Sequence, residues 1–156
     1  MKPVSTTRKG TVSMKLYTIG YKGKNAKELF GILSKNNIRK VLDVRLKNAN
    51  IYCLYTHKRD FPFLLSLAGI AYEHKEKWAP SEWLFNGYKD EKITWSQYVV
   101  EFSKLIRERN MIQGVTAEDL DGCVLLCSEE TPDQCHRRLL AEYFHNNFPE
   151  IEVIHL

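Results

Sequence analysis

Apolar and polar positions follow one another along the chain in blocks that predict strands and helices in turn. Short apolar runs, several of them β-branched, predict strands at 15–21, 38–45, 70–74, 123–127 and 151–156. Apolar residues at helical spacing, with start and stop signals, predict helices at about 25–36, 61–68, 94–112 and 132–146. This alternation predicts right-handed βαβ units. We therefore expect an α/β fold, a three-layer αβα arrangement with a mainly parallel open sheet of about five strands.

Two segments lack this periodicity. Residues 1–13 are basic and polar with almost nothing apolar, which predicts a disordered basic arm and leaves Met14 as a candidate native start. Residues 14–156 are then expected to form a single α/β domain. Residues 75–93 are long for a connection and carry Trp78 and Trp83 between charges, so we expect a binding loop or lid there.

Composition narrows the class of protein. The 156 residues are 44% hydrophobic and 27% charged, which is ordinary for a soluble globular chain. No apolar run approaches a membrane span and no signal core is present, so a cytoplasmic location without a membrane partner is expected. Four cysteines do not make a disulfide scaffold, and they indicate reduced thiols, a metal site or redox chemistry. The net charge of +4 permits anionic ligands.

The stretch 124–141 carries most of the candidate chemistry. An apolar run ends at Cys127, and Thr131, Pro132 and Gln134 stand where a helix cap, a first helical residue and a capping-box partner would stand. This order predicts a strand, a short loop and a helix whose N-terminal N–H groups point at the loop. The first helical turns would then present three reactive or cationic side chains: Cys135, His136 and Arg137.

Parallel strands present their carboxyl ends at one edge of a sheet, where ligands bind in open α/β folds. That rule predicts a site assembled from distant parts of the sequence. We expect the ligand-binding residues to be Gly20, Tyr21, Arg45, Cys127, Cys135 and Arg137. The candidate acid/base set, if there is turnover, is Asp43, Glu129 and His136.

Guanidinium groups and a helix N-terminus favour a phosphate-bearing or other anionic ligand, with hydrolytic acid/base chemistry as an option. A competing interpretation has Arg45 and Arg137 neutralise local carboxylates instead. A second class is a thiol-redox, cysteine-nucleophile or metal-binding protein that uses Cys127, Cys135 and His136. A third is a non-catalytic nucleic-acid-binding module. We assign no metal, because the short Cys–Cys spacing of structural zinc sites is absent and adjacent helical residues diverge. No cofactor and no oligomeric state can be named.

Several of these residues also carry a resemblance. The residues Cys127, Glu129, Pro132, Cys135, His136, Arg137, Leu140 and Ala141 resemble the C-terminal signature of the uncharacterised family catalogued as domain of unknown function 488. The blocks 17–20, 41–45 and 153–155 are similar to that family's other blocks, in the same order. The likeness runs from about Leu16 to the C-terminus. It implies a family without an established reaction, so function has to be argued from the residues.

Overall fold

The computed structural model describes residues 13–156, and its centre is a five-stranded sheet in which every neighbouring pair is parallel. The strands are β1 (Met14–Gly20), β2 (Lys40–Asp43), β3 (Ala71–His74), β4 (Cys123–Cys127) and β5 (Ile151–His155). Their spatial order is β3-β2-β4-β1-β5. The fold class expected from the alternating pattern is confirmed.

Helices cover both faces of this sheet. They are α1 (Ala26–Lys35), α2 (Phe61–Leu67), α3 (Glu82–Lys89), α4 (Trp95–Glu108), α5 (Ala117–Leu120) and α6 (His136–Asn147). Two short 3-10 turns, Leu54–Thr56 and Glu76–Trp78, lie in the connections. Helices α1 and α2 contribute to one buried apolar cluster, and α3 to α6 contribute to a second. The sheet is therefore the middle of three layers.

Two helices begin where the capping residues in the sequence predict. Asn25 accepts from the Glu28 N–H and Glu28 accepts from the Asn25 N–H, both at 2.9 Å. Thr94 and Gln97 form the same reciprocal pair at the start of α4. Both capping boxes are confirmed, because each satisfies N–H groups that a helix start leaves without partners.

The start of α6 was predicted wrongly. The helix begins at His136, not Pro132, and Cys135 is its N-cap with extended backbone and no side-chain capping bond. Residues 128–135 form a loop instead. Arg137, in the first turn of the helix, donates to the carbonyl oxygens of Glu129 (2.6 Å) and Glu130 (3.4 Å) in this loop.

The segment 75–93 was also predicted wrongly as a long loop. It contains α3, and Ser81 caps that helix by accepting from the Leu84 N–H at 3.2 Å. Trp78 is buried against Phe144, whereas Trp83 is 62% exposed. Helix α5 was missed because four residues show no helical period, although Thr116 and Asp119 form a capping box there.

The ends of β1 and β4 lie at the switch in strand order. The chain leaves β1 toward β2 and β3, and it leaves β4 toward β5 on the other side. Ligands in open α/β sheets bind at such a point, outside the carboxyl ends of the strands. Gly20 and Cys127, which end these two strands, are register partners there.

The predicted basic arm, residues 1–13, lies outside the described residues except for Ser13, whose hydroxyl donates to Glu152 at 3.2 Å. Among the helices of residues 13–156, none combines the length and apolar character needed to cross a membrane.

Candidate functional site

A large cleft opens at the carboxyl edge of the sheet, above the ends of β1, β2 and β4. Its volume is about 1210 Å³. The lining includes the segment 45–53 as well as residues of α3 and the residues after it. The start of α6 and the end of β4 form part of the lining, so the cleft contains Cys127, Cys135 and His136.

Cys127, His136 and the Val44 carbonyl form a chain of polar contacts in this lining. The His136 Nε2 atom lies 2.7 Å from the carbonyl oxygen of Val44. A carbonyl oxygen can only accept, so Nε2 carries a proton and donates it. The other ring nitrogen, Nδ1, lies 3.8 Å from Cys127 Sγ. Val44 thereby fixes the imidazole orientation that faces the thiol, as a third group orients the base in nucleophile–base pairs.

The two thiols of the site have opposite acidities. A hydrogen bond from the Cys135 thiol holds the pKa of Cys127 well below its usual range against the opposing effect of burial, and the positive charge of His136 adds to this. The pKa of Cys135 is raised well above its usual range by the same hydrogen bond and by burial. Cys127 is therefore the thiolate of the pair.

His136 is shifted toward its cationic form by the neighbouring sulfur. Burial alone would lower the pKa of His136, but the negative charge and hydrogen bond of Cys127 raise it. Both side chains are nearly inaccessible, with exposed fractions of 6% each. A thiol of lowered pKa beside a histidine of raised pKa is an arrangement that activates a cysteine nucleophile.

Asp43 and Arg45 form a buried ion pair. Arg45 donates to both carboxylate oxygens of Asp43, at 2.8 and 2.7 Å, and also to Thr56. The Tyr72 hydroxyl donates to the same carboxylate at 2.6 Å. Asp43 is fully buried and absent from the cleft lining, while Arg45 lines the cleft with its guanidinium bound to internal partners. The geometry matches the interpretation in which Arg45 neutralises a neighbouring carboxylate.

Arg137 is fully buried and is engaged differently. Its donors reach the carbonyl oxygens of Glu129 and Glu130 and the Thr18 hydroxyl, and within residues 13–156 no carboxylate pairs with it. Arg137 is not among the residues that line the cleft. Its contacts shape the loop that follows Cys127.

Gly20 permits that loop to pass close to the end of β1. A Cβ atom built on Gly20 would overlap the Glu129 carbonyl and lie 3.2 Å from an Arg137 Nη1 atom. The backbone also joins here, since Tyr21 N–H donates to the Cys127 carbonyl and Lys22 N–H to that of Ser128. The backbone of the loop therefore approaches the end of β1 closely at Gly20.

The cleft therefore brings together six of the nine predicted site residues: Tyr21, Arg45, Cys127, Glu129, Cys135 and His136. The other three, Gly20, Asp43 and Arg137, lie beneath or beside it and support its residues. Sequence reasoning missed the Val44 carbonyl and Thr56. A main-chain acceptor leaves no mark in a sequence, whereas Thr56 is a polar residue that the 3-10 turn buries.

Cys127, Cys135 and His136 also form a donor set of the kind that zinc accepts, with their three ligand atoms within 4.8 Å of one another. The argument from diverging helical residues does not apply, because Cys135 is the extended N-cap and only His136 is helical. All four cysteines of the chain are free thiols.

The fold and site define a parallel α/β protein with a buried cysteine–histidine pair at the switch point of its sheet. The chain belongs to the family described as Domain of unknown function DUF488, whose profile matches residues 25–144. This range includes the Asp43–Arg45 pair and the whole Cys127–Arg137 loop. No curated protein and no solved structure matches the chain significantly.

Proposed function

We propose that this protein is an enzyme in which the Cys127 thiolate attacks an electrophilic centre of an anionic, phosphate-bearing substrate held in the cleft. The observation that carries this function is the contact chain from Cys127 Sγ through the His136 ring to the Val44 carbonyl. A base that a third group orients beside a cysteine in the cleft lining is the arrangement that covalent catalysis requires. A merely structural cysteine needs no such partner.

The roles of the residues follow from their positions. The Cys127 sulfur forms a bond to the electrophilic centre, and the leaving group departs with a proton from His136. Water then displaces the sulfur and gives a proton to Glu129, whose side chain belongs to the cleft lining. That proton returns to His136, which restores the starting pair, so the net reaction is hydrolysis.

Charge in the cleft supports an anionic substrate. The cleft lining contains more cationic than acidic residues. The cationic ones are Lys22, Lys24, Arg45, Lys47 and Lys89, and the acidic ones are Glu91 and Glu129. Arg45 is already neutralised by Asp43, so the lysines supply the attraction. None of the four lysines takes part in an ion pair within residues 13–156. Anion recognition thus shifts from the arginines expected from sequence to the lysines.

Two alkylating agents of different charge test this function together. Iodoacetamide is neutral and iodoacetate is anionic, and the site of modification can be read by peptide mass spectrometry. We expect Cys127 to react faster than buried Cys123, and the iodoacetate-to-iodoacetamide rate ratio at Cys127 to exceed the ratio for glutathione by several-fold. Inorganic phosphate should slow the iodoacetate reaction.

Three outcomes would contradict the proposed function. Equal protection of Cys127 and Cys123 from alkylation would show that Cys127 is not an activated nucleophile. An iodoacetate-to-iodoacetamide rate ratio equal to that of glutathione would contradict the preference for an anionic substrate. A stoichiometric metal content in the purified protein, by elemental analysis, would show that the thiolate serves as a ligand and not as a free nucleophile.

A second candidate function is dithiol–disulfide exchange, favoured by the closeness of the Cys127 and Cys135 thiols. In glutathione buffers the two thiols would lose two hydrogens and form a disulfide while glutathione disulfide is reduced to two glutathione molecules. Intact mass under such buffers, with Cys135→Ser as the control, measures this. A reducing compartment would keep both thiols available, and we propose a cytoplasmic location on that basis.

A further inference from the structure

Resting on the proposed function, we infer that the substrate of the cleft is an unpaired nucleotide within single-stranded nucleic acid. The cleft places aromatic rings and hydrogen-bonding groups between the lysines described above. These are the components with which proteins bind single strands, since bases stack on aromatic side chains while cations follow the phosphates.

The first supporting feature is an exposed aromatic and apolar tip on the segment 45–53. Tyr52 is 93% exposed and Ile51 is 70% exposed, and both line the cleft. The tip has a defined backbone, because the Tyr52 N–H donates to the Asn50 side chain at 2.8 Å and Asn50 donates to the Tyr21 hydroxyl at 2.9 Å. A phenol ring held out into solvent on an anchored turn offers both faces to a base.

The second feature is the part of the lining around α3, which also combines aromatic rings with cations. Phe85 and Tyr88 of α3 line the cleft, and the Lys47 ammonium lies 5.8 Å from the centre of the Phe85 ring. Lys89, the last residue of α3, is a further cation of the lining. Rings and cations in the lining of one cleft suit a polymer in which bases and phosphates alternate. A simple anion such as phosphate would make no use of the rings.

The third feature is the depth of the reactive sulfur. Cys127 lies in the cleft lining with only 6% of its surface exposed. A paired base inside a duplex cannot reach a recessed atom, so proteins that act on bases take unpaired or flipped-out nucleotides. The cleft volume of about 1210 Å³ exceeds that of most small-molecule pockets and leaves room for a nucleotide and part of its neighbours.

Fluorescence anisotropy with labelled oligonucleotides tests the substrate class in the full chain. Single-stranded oligodeoxynucleotide and oligoribonucleotide arms distinguish DNA from RNA, and a duplex of the same sequence is the reference. We expect at least one single-stranded arm to bind about tenfold more tightly than the duplex, with affinity falling as salt rises.

Matched variants show whether the cleft is responsible. Tyr52→Ala should weaken single-strand binding about fivefold or more, and Lys47→Ala should weaken it and reduce the salt dependence. Trp83→Ala and Lys58→Ala are the controls, because both residues are exposed but neither lines the cleft. These controls should leave affinity unchanged.

Equal affinity for duplex and single strand would overturn the inference. Competition by inorganic polyphosphate that is as strong as competition by an oligonucleotide of equal charge would also overturn it. Loss of affinity in the controls as large as in Tyr52→Ala would overturn it as well. Its failure is separable from that of the proposed function, because Cys127 alkylation is measured without nucleic acid. If Cys127 is reactive but no oligonucleotide binds, only the inference of a nucleic-acid substrate is contradicted. If an oligonucleotide binds but Cys127 is unreactive, only the proposed role of Cys127 as a nucleophile is contradicted.

Discussion

The Nε2–H of His136 donates to the carbonyl oxygen of Val44 across 2.7 Å, although the two residues lie 92 positions apart in the chain. This bond joins the end of β2 to the start of α6. It leaves Nδ1 as the ring atom that faces Cys127. The acidity of the thiol therefore depends on a main-chain acceptor that belongs to a different strand.

Replacement of His136 should make Cys127 a more ordinary thiol. In His136→Gln the amide can still donate to a carbonyl, but the positive charge beside the sulfur is lost, so the pKa of Cys127 should rise. We expect its alkylation rate at neutral pH to fall about tenfold or more. His145→Gln, on the same helix but outside the cleft lining, is the control. An unchanged Cys127 rate in His136→Gln would show that the imidazole does not activate the thiol.

The Asp43–Arg45 pair should contribute to stability and not to turnover. Asp43→Asn leaves a buried guanidinium without its counter-ion, which typically costs about 3–5 kcal/mol of unfolding free energy. Urea denaturation measures the loss. Asp60→Asn is the matched control, because Asp60 pairs with Arg59 at the surface and its loss should be far smaller. Equal effects of the two substitutions would contradict the structural role of Asp43.

Gly20 should tolerate no side chain, for a steric reason and not a conformational one. In Gly20→Ala the new Cβ would overlap the Glu129 carbonyl and displace the loop that follows Cys127. Stability and Cys127 reactivity should both fall. Gly31→Ala is the opposite case, since nothing lies within 4 Å of the added atom in α1. It should stabilise the protein by about 0.5–1 kcal/mol, as helical Gly→Ala changes do. Retained Cys127 reactivity in Gly20→Ala would show that the loop can relax.

His155 should titrate at a lower pH than a free histidine. Burial and the nearby charge of Arg137 lower its pKa, and the Thr18 hydroxyl, which accepts from Arg137, lies 2.6 Å from the Nδ1 atom of the ring. A lowered pKa means that the unfolded chain binds more protons. Stability from His155 is therefore complete above the unfolded-state pKa and is lost as pH falls through the folded-state pKa. NMR titration of the ring, with His155→Gln to assign it, measures this. A pKa at or above the ordinary value would contradict the arrangement.

The sheet and two of its helices were predictable because each has a local signal. The apolar run 123–127 coincides with β4, and the Asn25–Glu28 and Thr94–Gln97 pairs mark the starts of α1 and α4. The local signal at Thr131–Gln134 did not set the helix start, since α6 begins at His136 with Cys135 as its N-cap. Capping propensity is a local signal, and the tertiary context of a segment can override it.

The location of the site could be predicted from the sequence, but the contacts within it could not. Topology alone brings Cys127, Cys135 and His136 to the edge of the sheet near Arg45. Sequence could not decide whether Arg45 faces a ligand or Asp43, because both fit a guanidinium near a strand end. It also could not show that Lys47 and Tyr52 reach the same cleft, since no periodicity fixes the path of the segment that carries them.

The pH dependence of Cys127 alkylation tests the thiolate most directly. The reduced, chelator-treated protein is exposed to iodoacetamide over a range of pH, and peptide mass spectrometry follows Cys127 and Cys123 separately. The Cys127 rate should reach half its maximum well below the usual pKa of a thiol. Cys123, whose pKa is raised by burial, should react only at alkaline pH. A Cys127 rate that rises in step with that of Cys123 would show an ordinary buried thiol and would contradict cysteine-based catalysis at this site.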